Sequence, residues 1–101
     1  DAVFAINDPT AIGADDAARQ AGRSDFFIVG VDGAPKAKAR MKDANSLIGA
    51  TVAQMPDALA RIAVEAGYAL IRKQPVPERT VLIPAVLLTR ESIQDQEDWS
   101  R

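Results

Sequence analysis

With 101 residues, 48 % of them apolar and 26 % charged, and a formal net charge of −2, the sequence has the balance of one ordinary globular unit, and a chain this short buries only about 65 % of its unfolded surface. It has no cysteine and no histidine, which removes disulfides, thiolate nucleophiles, imidazole bases and the usual zinc sets. Its basic residues are scattered among acids, so nucleic acid is not an expected partner, and no apolar run approaches the roughly 20 residues of a membrane span.

The first residues, Asp1-Ala2-Val3-Phe4, read as a strand already under way, so the sequence is expected to begin inside something larger. The apolar run Val3 to Ile6 is the first predicted strand. Asp8 is placed to cap the next helix, with Pro9 at its first position, where a missing N–H costs nothing. Ala14, Ala17, Ala18 and Ala21 then share one helical face, and Gly22 supplies a stop. A face this small predicts close packing on a sheet. Phe26 to Val31, FFIVGV, is nearly all apolar and β-prone, as suits a strand covered on both sides, and it ends at Asp32-Gly33.

Pro35 to about Lys42 predicts a short surface helix, polar through Lys36, Lys38, Arg40 and Lys42, with Ala37 and Met41 facing inward. Leu47 to Ala53 is the third predicted strand, broken by Gly49 and ending at Gln54. Pro56 opens a longer helix in which Leu59, Ile62, Ala63, Ala66 and Leu70 form the apolar stripe of a 3.6-residue period. Gln74-Pro75-Val76-Pro77 ends it. Thr80 to Thr89 gives a last strand, bent or at an edge at Pro84, which cannot donate to a ladder. A polar tail over 93–101, containing Trp99, closes the chain.

The order β-α-β-α-β-α-β implies an α/β fold, a parallel sheet with right-handed crossovers. In such sheets ligands gather beyond the carboxyl ends of the strands. The first three predicted strands end there on Asn7, Asp32 and Gln54. Asparagine and glutamine each offer a carbonyl and an NH2, and an ionised aspartate is a strong double acceptor, a set that suits the vicinal hydroxyls of a sugar or polyol. It suits phosphate badly, because Asp32 repels an anion and no glycine-rich phosphate loop accompanies it. Each residue also has a plain structural reading: a turn asparagine, an Asp-Gly turn pair, and a solvated glutamine flanking a helix. No matched acid, nucleophile or metal set accompanies Asp8 and Asp32. No catalytic residue, metal or cofactor is therefore expected.

The stretches VFAINDPTAIGA, FFIVGVDGAP, IGATVAQMP and LIPAVLLTRES resemble, in order and spacing over about residues 1 to 92, the C-terminal third of the ribose-type periplasmic sugar-binding proteins that serve ABC importers. The resemblance implies the type I periplasmic-binding fold, a three-layer arrangement of two α/β lobes that close on a monosaccharide by a hinge motion. By position, Asn7, Asp32 and Gln54 resemble the family's sugar contacts, while Asp8 mainly caps the helix. Residues 1–54 are expected in the C-terminal lobe, 55–84 in the N-terminal lobe, and 85–92 as a return crossover strand. The expected partners are a monosaccharide or polyol, the transporter permease, and either a missing N-terminal portion of the same protein or a swapped copy, all in the periplasm. Two other readings stay open: the effector domain of a lactose-repressor-type regulator, and a sugar-processing enzyme with Asp32 as general base or Asp8 and Asp32 as a carboxylate pair.

Overall fold

A computed structural model of the chain describes residues 1–76, 78 and 80–94. Trp99 and the rest of the predicted tail from residue 95 lie outside the described residues, as does Pro77. The elements follow in the order β1 (Ala2–Phe4), α1 (Asp8–Gln20), β2 (Phe27–Asp32), α2 (Pro35–Met41), β3 (Ile48–Ala53), α3 (Pro56–Ile71) and β4 (Val86–Thr89), with a 3-10 turn at Ser92–Gln94. They form two compact units: Asp1–Gln54 together with the described residues from Ala85 onward, and Met55–Pro84.

The first unit is built on one sheet with strand order β1-β2-β3-β4. The α/β class holds, with one correction. β1, β2 and β3 are parallel, but β4 runs antiparallel to β3, so the sheet is mixed. The reason lies in where the chain re-enters: Val86 pairs with Ala53, the residue at which β3 left the sheet, so β4 can only run back along it. The predicted strand from Thr80 is correspondingly shorter, and 80–85 have no regular structure.

Helices α1 and α2 cover one face of this sheet. Ile28 and Gly30 of β2, Ile48 and Thr51 of β3 and Leu88 of β4 are buried on that side. Ile48 and Thr51 are three apart, although a regular strand alternates faces every residue. A bulge reconciles them, because the register passes from Ile28↔Ile48 to Val29↔Ala50 and leaves Gly49 as the extra residue. Ala5, Ala11, Ile28, Met41, Ile48, Leu88 and Ile93 make the core, so the first residue of the expected polar tail is in fact an apolar anchor. On the opposite side of the sheet, Phe4, Phe27 and Leu87 are exposed.

The inner face of α1 also differs from the expected one. Its buried residues are Asp8, Ala11, Asp15 and Ala18, whereas Ala17 and Ala21 are exposed. Two aspartates, Asp8 and Asp15, turn in here and find partners, described below. The stop at Gly22 is as expected, with Gly22 N–H donating to Arg19 O and Arg23 N–H to Ala18 O, the paired bonds of a Schellman end. In α2, Ala37 and Met41 are buried as predicted, and Lys38, assigned to the solvated face, is buried with them.

The second unit is dominated by α3, which has no buried residue: Leu59 and Leu70 of its apolar stripe are both exposed. Its C-terminus closes with Gln74 N–H on Ala69 O and Lys73 N–H on Leu70 O.

Candidate functional site

Parallel pairing brings the carboxyl ends of β1, β2 and β3 to one edge, and each is followed there by a polar side chain. Asn7 stands at the entry to α1, Asp32 is the last residue of β2, and Gln54 directly follows β3.

Asp32 and Gln54 meet. The Gln54 Nε2–H donates to Asp32 Oδ1 at 2.9 Å, and the Gln54 backbone N–H donates to Asp32 O at 3.2 Å. The other carboxylate oxygen, Asp32 Oδ2, accepts the backbone N–H of Asp8 at 3.5 Å, which ties the strand end to the residue beside Asn7. Asp32 has φ of 128°, in the region that favours glycine. Such a conformation costs about 1–3 kcal/mol and persists only where the surroundings over-determine it.

The helix cap is Asn7 and not, as expected, Asp8. The extended backbone of Asn7 lets Oδ1 accept Thr10 N–H at 3.0 Å and the Thr10 hydroxyl at 2.7 Å. Asparagine and aspartate cap equally well, and the choice falls to Asn7 because the Asp8 side chain is engaged inside. Asp8 is fully buried. Its Oδ1 accepts the Thr51 hydroxyl at 2.6 Å and its Oδ2 accepts Ala34 N–H at 2.7 Å. Thr51 Oγ1 in turn accepts Gly33 N–H at 3.2 Å.

Two glycines make this junction sterically feasible. A Cβ on Gly30 would stand 2.4 Å from Asp8 Oδ1, so α1 can approach β2 this closely only over a bare backbone. Gly33, at φ 71°, has Ala53 Cα 2.7 Å from where its Cβ would be. Asp8, Thr51 and Gly30 escaped the sequence reading as supports of the site. The available signal was a polar Thr51 and a lone Gly30 inside otherwise apolar strands.

Among the described residues, the Asn7 Nδ2 and Gln54 Oε1 atoms make no hydrogen bond, and Asp32 is only part-buried. The edge thus offers an NH2 donor, a neutral acceptor and a carboxylate. That combination can pair with neighbouring hydroxyls. No cluster of acids with metal-ligand geometry occurs among the described residues.

The chain belongs to the periplasmic binding protein domain family, whose profile matches residues 1–75. The ribose import binding protein of Salmonella typhimurium is 39 % identical over 75 residues, covering 74 % of this chain and 25 % of that protein. Among solved structures, a periplasmic solute binding protein of an ABC transporter from Actinobacillus succinogenes with bound D-allose superposes with a TM-score of 0.81 at 30 % identity, over 94 % of this chain and 32 % of that one. The Caulobacter myo-inositol binding protein bound to myo-inositol gives the same TM-score of 0.81 and 30 % identity, again over 94 % of this chain and 32 % of its own. The chain therefore spans between a quarter and a third of the length of these proteins.

Proposed function

We propose that the chain is part of the solute-binding component of a bacterial ABC importer, which holds a monosaccharide or polyol between two lobes in the periplasm and delivers it to the membrane permease. Residues 1–54 belong to one lobe, 55–84 to the other, and 85–92 return to the first. Asn7, Asp32 and Gln54 are the ligand contacts, and the remaining contacts come from protein outside this sequence. Binding is reversible and involves no bond-making chemistry. The observation that carries this reading is the hydrogen-bonded Asp32–Gln54 pair beside Asn7 at the carboxyl edge of three parallel strands. D-allose and myo-inositol, bound by similar proteins, both carry vicinal hydroxyls, which suit such a set of donors and acceptors.

Calorimetric titration of the full-length protein with D-ribose, D-allose and myo-inositol tests it. Replacing Asp32 by alanine removes a charged acceptor from neighbouring hydroxyls and is expected to weaken binding by at least about 1.4 kcal/mol, or tenfold. Unchanged affinity in Asp32→Ala, or consumption of the sugar by the pure protein, would overturn the assignment.

A further inference from the structure

Asp32 keeps a backbone conformation that aspartate adopts only under constraint. The constraint is visible at every residue of the turn that follows β2. Ala34 N–H is held by Asp8 Oδ2, Gly33 N–H is held by Thr51 Oγ1, and the Thr51 hydroxyl is itself held by Asp8 Oδ1. The Asp8 backbone N–H completes the circuit on the Asp32 carboxylate. Asp8 has no exposed surface, so it cannot touch a solute itself. It sits, however, where three elements meet: directly after Asn7, across from the Asp32 turn, and on the hydroxyl of Thr51, three residues before Gln54.

We propose that Asp8, acting through Thr51, is the positioning residue of the candidate site: together they set the Asp32-Gly33-Ala34 turn and hold the Asp32 carboxylate at the strand edge, and so set the affinity for a hydroxylated solute. The assignment rests on Asp32 being a ligand contact. Thr51 must donate and accept at once, which serine can do and valine cannot. Ala34 supplies a more selective variant. Its φ of −64° is already proline's value, so Ala34→Pro deletes the N–H that Asp8 holds while keeping the φ of residue 34.

The test uses the full-length protein with two readouts: calorimetric affinity for D-ribose, D-allose and myo-inositol, and amide hydrogen exchange at Gly33, measured by NMR without ligand. Thr51→Val and Ala34→Pro are expected to weaken binding about tenfold or more and to speed Gly33 exchange by a similar factor, while Thr51→Ser stays within about twofold of the parent in both, because the hydroxyl is restored. Asp15→Asn, at an equally buried carboxylate two turns along α1, is the structural control: it lowers the melting temperature and leaves affinity and Gly33 exchange unchanged. Thr51→Val and Ala34→Pro proteins with parental affinity and parental exchange overturn the proposal, as does a Thr51→Ser protein as impaired as Thr51→Val. If the parent takes up none of the three solutes, the proposed ligand class falls separately. The exchange data then decide the hold on the turn: accelerated exchange in Thr51→Val supports it, and parental exchange removes it.

Discussion

Asp15 is a carboxylate with no exposed surface, and burial alone drives such a group towards its neutral form. Its surroundings reverse the outcome. Leu47 N–H donates to Oδ1 at 2.7 Å, while Arg40 at 2.9 Å and the Ser46 hydroxyl at 3.1 Å donate to Oδ2, with the Arg19 guanidinium 3.4 Å away. Burial pushes the carboxyl up, but these bonds and charges outweigh it and hold it below its ordinary 3.8. A depressed carboxylate contributes stability that is present above its unfolded value and is lost as pH falls through the folded one. Replacing Asp15 by asparagine removes that contribution. Urea unfolding of the full-length protein should therefore show Asp15→Asn less stable by about 1–3 kcal/mol at neutral pH, a gap that holds down to about pH 5 and closes below about pH 4. A gap that widens on acidification would contradict the sign. Arg40 also pairs with Asp16 at 2.7 Å, so it keeps a partner in the variant.

At the scale of elements, α1 separates two readings of one helix. The small-residue stripe in the sequence points to Ala14, Ala17, Ala18 and Ala21, whereas the packed face runs through Asp8, Ala11, Asp15 and Ala18. Ala11 lies 3.3 Å from where a Cβ on Gly30 would be, so a larger side chain there forces helix and sheet apart. Ala11→Leu in the full-length protein is expected to lose about 1–3 kcal/mol of unfolding free energy, and Ala17→Leu to stay within about 0.5 kcal/mol; equal losses would favour the alanine stripe. The same contrast shows what the sequence could carry. Strands β1 to β3, their helices and the polar residues at the strand ends were legible because apolar runs, prolines and glycines mark them locally. Which of two adjacent capping residues turned inward was not, because Asn7 and Asp8 are chemically equivalent caps and the deciding partner, Thr51, is 43 residues from Asp8. Nor was the direction of β4, which depends on the chain's return at Val86 beside Ala53 and not on any property of Val86–Thr89 itself.

Large apolar side chains stand open to water in both compact units. Phe4 is 72 % exposed and Leu87 61 %, on the sheet face opposite α1 and α2, and Leu70 on α3 is 65 % exposed. Soluble monomers rarely leave contiguous apolar surface of more than a few hundred Å² in water, and among the described residues β1 also presents an unpaired strand edge. Such surfaces call for covering chain, which we propose is the remainder of the same protein or a swapped element of a second copy. The 101-residue chain prepared alone is accordingly expected to bind the dye ANS and to elute ahead of a 10.8 kDa monomer in gel filtration. Coverage by a swapped copy yields a discrete dimer whose ANS signal falls as the dimer forms. Dependence on the remainder of the protein yields a broad distribution that keeps the dye, and that resolves only when the rest of the chain is supplied in trans. A sharp monomer peak without ANS binding would mean that these faces are stable in water as they stand, and would overturn the need for either partner.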